Sequence, residues 1–181
     1  MTDDAADTDT YALKTDPLAS FAAPDLDYRP PMPKSYRPRI GLIGAGGISN
    51  SHLDAYKTAG WEVAAIWNRT EAKAVKKAKE FCPSADVVSD WKDLLANDDI
   101  DVVDITLPVS VRAHFISCAL KAGKHVLSQK PFVEDLDLGE ELVALAEENG
   151  VQLAVNQNGR WSPQMAWMRE AVRRGLIGDV I

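Results

Sequence analysis

The chain is poor in cysteine, in histidine and in long apolar runs, and it has no surplus of positive charge. Its two cysteines, Cys82 and Cys118, stand far apart. They form neither a disulfide framework nor a paired zinc spacing. Two unpaired thiols suit a reducing compartment, so the expected location is the cytoplasm. Histidine occurs three times, as His52, His114 and His125, and no metal site is expected. No stretch reaches the roughly 20 apolar residues of a membrane span. The N-terminal MTDDAADTDT lacks the basic and apolar regions of a secretion signal. Lys and Arg number 20 against 27 Asp and Glu, a formal charge of −7. Phosphate backbones repel such a chain, which makes nucleic acid a poor partner.

The 181 residues are 46% apolar and 26% charged, the composition of one globular domain. Glycine is absent from residues 1–38, whereas six of the ten prolines fall there, with seven aspartates against Lys14, Arg29, Lys34 and Arg37. Little in this segment can bury enough apolar area to offset backbone ordering. It reads as a flexible acidic leader, or as an arm that lies on another surface through Tyr11, Phe21, Tyr28 and Tyr36.

From Arg39 short apolar runs alternate with amphipathic stretches. Strands are expected at residues 39–43, 62–67, 86–89, 100–107, 125–128 and 151–156. Helices are expected at 48–59 (with Ile48, Leu53 and Tyr56 inward), 70–79 (capped by Thr70), 91–96, 110–121, 135–149 and 162–175. Strands that are apolar on both faces and separated by helices imply a parallel sheet covered on both sides. The expected fold class is therefore α/β, a Rossmann-type doubly wound sheet spanning residues 39–177.

The first strand–helix turn is Gly44-Ala45-Gly46-Gly47-Ile48-Ser49. Gly44 permits the tight turn, Gly46 leaves room for a pyrophosphate, and the third small position, here Ser49, lets the helix pack close to the sheet. Amides at the helix N-terminus then face the phosphate charge. Dinucleotide binding is the leading reading; its rivals are S-adenosylmethionine on a similar sheet and a glycine turn with no ligand. The second strand ends at Asn68-Arg69, where an NAD-selective fold usually bears an acid for the ribose hydroxyl. Asn68 does not repel a 2′-phosphate and Arg69 can pair with one, which leans toward NADP over NAD; Arg69 can equally be a solvated arginine. Thr106, Leu107 and Pro108 close the fourth strand near the switch point, either bordering the nicotinamide or forming a plain turn. Lys130, at the end of the fifth strand, either holds a substrate hydroxyl or is an ordinary surface lysine. Asn158 and Arg160 follow the sixth strand on the cleft side, where they can contact cofactor or substrate.

Several segments together resemble the glucose–fructose oxidoreductase / inositol 2-dehydrogenase / MocA (Gfo/Idh/MocA) family. They are GLIGAGGIS (41–49), ALKAGKHVLSQKPF (119–132) and NGRWSP…RRGLIGDV (158–180), with the element alternation between them. The resemblance covers about residues 38–181. It implies an NAD(P)-dependent oxidoreductase acting on a secondary hydroxyl of a sugar, inositol or polyol. It also implies that Lys130, in the position of the family's Glu-Lys-Pro lysine, is catalytic and touches the cofactor. Three residues depart from the pattern. Gln129 replaces the usual Glu and alters the ribose contacts beside Lys130. Arg112 stands where a His is common, with His114 two residues on. Asn68 replaces the common acid. The family also carries a second α+β domain, whose start corresponds to residues 178–181. The expectation is a cofactor-binding half whose catalysis is incomplete alone; the alternative is a non-catalytic NAD(P)(H)-binding module or an inert remnant.

Overall fold

Short runs rich in Val, Ile and Ala, punctuated by glycines and helix caps, set the element order. The computed structural model describes residues 23–179, so Tyr11 and Phe21 lie outside the described residues. The strands are β1 (Arg39–Ile43), β2 (Glu62–Trp67), β3 (Asp86–Val87), β4 (Val102–Ile105), β5 (His125–Gln129) and β6 (Leu153–Asn156). The helices are α1 (Ser49–Ala59), α2 (Glu71–Phe81), α3 (Trp91–Ala96), α4 (Val109–Lys121), α5 (Leu136–Glu148) and α6 (Pro163–Arg173), with a 3₁₀ turn at Asn158–Trp161. All strand pairs are parallel, in the order β3-β2-β1-β4-β5-β6. This is the expected Rossmann-type sheet, with its order reversing between β1 and β4.

Alternation along β1 feeds two cores. Ile40 and Leu42 pack with Leu53 and Tyr56 of α1 and Ala74 and Ala78 of α2. Ile43 packs with Leu94 of α3, Ile116 and Leu120 of α4, and Leu142 of α5. A sheet buried on both faces needs apolar side chains on both, which is why its strands lack a polar alternation. Truncating any one of these Leu or Ile residues to Ala costs roughly 2–5 kcal/mol.

Local chemistry sets the helix ends. Asp135 accepts the amides of Asp137 and Leu138, and Ser162 accepts that of Met165, with Pro163 in the first helical position. Thr70 is the N-cap residue of α2, but its hydroxyl accepts no amide; instead its carbonyl receives the Asn68 side-chain amide at 2.9 Å. On α1 the inward face is Ser49, His52, Leu53 and Tyr56, while Ile48 is 41% exposed. The third, fourth and sixth strands are shorter than expected. β3 is an edge strand that pairs only with β2. Before β6, the Val151 amide closes the end of α5 by donating to Ala146, so pairing starts at Leu153.

Residues 23–38 contain no helix or strand, yet Leu26 is buried and the Trp167 indole of α6 donates to the Pro24 carbonyl at 3.2 Å. Tyr28 is half-buried and Tyr36 exposed.

Parallel register delivers the functional residues to one edge. Ile43 aligns with Trp67 and with Ile105, Ile105 with Ser128, and Gln129 with Asn156. Gly44, Asn68, Thr106 and Lys130 therefore leave their strands side by side.

Candidate functional site

The bend after β1 is fixed by its neighbours on both sides. The Gly44 amide donates to the Trp67 carbonyl at 2.8 Å, and the Thr106 hydroxyl donates to the Gly44 carbonyl at 2.8 Å. Gly44 has φ +108°, and a Cβ there would sit 2.9 Å from Thr106 Oγ1. Glycine is thus required twice, by conformation and by contact. Ala45 is buried, and its amide donates to Asn68 Oδ1 at 2.9 Å. Ser49 is fully buried and donates its hydroxyl to the Gly46 carbonyl at 2.6 Å.

Gly46, Gly47 and Ile48 are exposed, and their amides meet no acceptor among the described residues. A Cβ on Gly46 or Gly47 would meet nothing within 4 Å. Three free donors at an exposed helix N-terminus suit a diphosphate.

Beside the bend is a cleft of about 510 Å³, lined by Gly44 and Gly46, by Trp67 to Thr70 and Lys73, by Thr106 to Pro108, and by Ser110, Val111 and Phe115. Its wall is aromatic: Trp67 and Phe115 lie 5.7 Å apart, and Trp91 supports Phe115 edge-on at 5.1 Å. Arg69 is exposed, and Arg69 and Lys73 make no ion pair among the described residues. Both polar atoms of Asn68 are engaged, one with Ala45 and one with Thr70, so Asn68 clamps the glycine bend to the end of β2.

The other residues singled out from the sequence lie further along the edge. Lys130 is exposed directly after β5, outside the lining of this cleft. Gln129 is buried and turns its amide inward. Asn158 and Arg160 are exposed in the 3₁₀ turn, with the Arg160 guanidinium 5.7 Å from the Trp161 ring centre.

Sequence reasoning singles out Arg112 without its role, and misses a second feature altogether. Arg112 is buried, and burial lowers the pKa of its guanidinium. With no carboxylate beside it, the guanidinium grips carbonyls: it donates to Leu107 at 3.0 and 2.8 Å and to the carbonyls of Gln129 and Pro131. It thereby ties the turn after β4 to the segment that carries Lys130. His114, by contrast, is exposed and stands edge-on to Trp91 and Phe115. The second feature is a buried polar cluster. Asp104, 0% exposed, accepts from Tyr56 at 2.8 Å and from His52 Nδ1 at 2.7 Å. Gln129 and Asn156 approach His52 Nε2 at 3.0 and 2.9 Å. Burial, and then the Asp104 charge, push the Tyr56 phenol up, so it stays a donor. The available signal was an acid inside the apolar run IDVVDITL (100–107), facing a His-x-x-x-Tyr pair on α1. Among the described residues no group of three or more His, Cys, Asp or Glu could hold a metal ion, and no helix is long and apolar enough to cross a membrane.

A parallel sheet whose first strand runs through a glycine bend into a helix N-terminus defines a dinucleotide-binding Rossmann domain. Comparison with known proteins narrows the class. Residues 38–157 match the Gfo/Idh/MocA oxidoreductase family with an NAD-binding Rossmann fold, and the chain belongs to that family. It is 36% identical over 121 residues to an uncharacterized oxidoreductase of Schizosaccharomyces pombe, covering 67% of this chain and 33% of that protein. It is 34% identical over 144 residues to the dTDP-3,4-didehydro-2,6-dideoxy-alpha-D-glucose 3-reductase of Actinomadura kijaniata, covering 78% of this chain and 43% of the relative. The crystal structure of KijD10, a 3-ketoreductase from A. kijaniata in complex with NADP and TDP-benzene, superposes with a TM-score of 0.71 at 34% identity. That match covers 80% of this chain and 44% of the other. The chain thus spans between a third and a half of the length of these relatives.

Proposed function

We propose that residues 39–177 bind NADP as the cofactor-binding part of an oxidoreductase acting on a sugar or polyol hydroxyl or the corresponding ketone. The observation that carries this reading is the trio of unpaired, exposed amides at Gly46, Gly47 and Ile48, with open space where a Cβ on Gly46 or Gly47 would stand. Gly44, Ala45 and Ser49 hold the bend in shape for the diphosphate. The adenosine lies toward Asn68 and Arg69, and the nicotinamide toward Thr106, Leu107 and Pro108. Arg69 and Lys73 place two uncompensated cations where a ribose 2′-phosphate would stand, and Asn68 brings no negative charge to oppose it. The bound coenzyme supplies the hydride donor or acceptor. Lys130 Nζ is free to hold the substrate oxygen and relay its proton, and Gln129, Arg112 and the adjoining turn fix where that amine stands. Asn158 is a contact on the far side of the same edge. The relatives' names support a sugar-like substrate. Cys82 and Cys118 are free thiols, and on that basis a cytoplasmic location is proposed.

Calorimetric titration of the chain with NADPH and NADH tests this. Micromolar-range binding of NADPH, tighter than that of NADH, is expected. No heat from either coenzyme would overturn the reading, and tighter NADH binding would overturn its NADP part.

A further inference from the structure

We propose that His52, oriented by Asp104, is a positioning residue for Lys130, acting through the side chain of Gln129. The inference rests on the reading of Lys130 as the substrate-facing amine.

The geometry forms a single chain of hydrogen bonds from the middle of the sheet to its functional edge. The Lys130 amide donates to Gln129 Oε1 at 2.7 Å, so the Gln129 carboxamide must present its NH₂ group in the other direction. That group meets His52 Nε2 at 3.0 Å, and the Asn156 amide nitrogen meets the same atom at 2.9 Å. Flipping Gln129 would set NH₂ against the Lys130 N–H and lose that bond. Nε2 therefore accepts, and the proton of the ring is on Nδ1, where it donates to Asp104 Oδ2 at 2.7 Å. The Tyr56 hydroxyl donates to the same oxygen at 2.8 Å.

The placement argues for more than core filling. Asp104, His52, Tyr56 and Gln129 are each no more than 8% exposed, and they come from three elements, α1, β4 and β5. Asp104 Oδ1 has no partner among the described residues, an arrangement that apolar packing would avoid. The cluster's link to the functional edge is the Lys130 amide. On the opposite side Arg112 holds the Gln129 and Pro131 carbonyls. Residues 129–131 are thus gripped through carbonyls by one buried side chain and through an amide by another, while the Lys130 ammonium stays free.

The test uses the full chain labelled with ¹⁵N at pH 7. Imidazole resonances should show His52 protonated on Nδ1 and bare on Nε2; an Nε2–H ring or a doubly protonated ring in the wild type would overturn the assignment. Gln129→Glu offers a carboxylate that still accepts the Lys130 amide but now requires a proton on Nε2. The ring should become doubly protonated while Lys130 amide exchange stays slow; a ring that remains neutral overturns the proposal. His52→Phe keeps a ring but removes both nitrogens, and should speed exchange of the Lys130 amide about tenfold with β1 and β4 amides unchanged. Acceleration throughout the sheet, or none at Lys130, would reduce His52 to a structural residue and overturn the proposal. If His52→Phe does not fold, the imidazole spectra of the wild type and of Gln129→Glu decide the coupling by the outcomes just given. The imidazole and exchange results read the coupling to residues 129 and 130, so their failure is distinguishable from that of the coenzyme titration, which tests the proposed function.

Discussion

Gly44 holds the bend through two constraints that no other residue meets: a φ of +108° and a Cβ position 2.9 Å from Thr106 Oγ1. Gly44→Ala should cost roughly 2–4 kcal/mol of stability, from backbone strain plus displacement of Thr106, measured as a shift in the urea midpoint. Asn68 and Arg69 divide the work at the end of β2: the first locks the bend, and the second faces the cleft as an unpaired cation. Arg69→Ala should weaken NADPH about tenfold and leave NADH within about twofold, because a charge-assisted contact to phosphate is worth about 1.4 kcal/mol or more. Equal loss for both coenzymes would assign Arg69 to the shared part of the ligand. The glycine bend was legible in the sequence, since its residue types and spacing carry their own conformational logic. The pairing of His52 with Asp104 was not, because residues 52 positions apart meet only once α1 lies on β4.

Among the elements, helix identity was readable because it is local, and Ser162 before Pro163 caps α6 as that sequence pair implies. Thr70 stands at the N-cap position of α2, but its hydroxyl accepts no amide. Lys124, within the AGKHV run, is buried and donates to the carbonyls of Asn97 and Ile100 at 2.8 and 2.9 Å, so this part of the family motif ties α3 to β4. On α6 the exposed Arg169 and Arg173 both pair with Glu170, which is buried. Burial pushes the Glu170 carboxyl up, and the hydrogen bonds and charges of Arg173 and Arg169 outweigh it, leaving it below its ordinary value of 4.5. A carboxyl with a lowered folded pKa stabilises fully above the unfolded value and loses that contribution as pH falls through the folded one. The acid limb of the stability curve, between about pH 5 and pH 3, should therefore be shallower in Glu170→Gln than in the wild type. The difference should be small, since both arginines are solvent-screened. Parallel limbs would show that the pair does not contribute.

The molecule as a whole follows from strands that bury both faces. That demand fixes a parallel sheet with helices on either side, and the sheet order then opens a crevice between β1 and β4. Fold class and the position of the crevice were accordingly legible from the alternation alone. The contact of Pro24 with α6 was not, because its partner Trp167 lies 143 positions away. The aligned register places the glycine bend, Arg69, Thr106 and Lys130 along one edge, and the bend's free amides are where the proposed coenzyme would set its diphosphate. A crystal structure of the chain with NADPH tests this most directly. The account predicts diphosphate oxygens within hydrogen-bond distance of the Gly46, Gly47 and Ile48 amides, with the 2′-phosphate against Arg69. A coenzyme bound elsewhere, or a bend left empty at saturating NADPH, would contradict it.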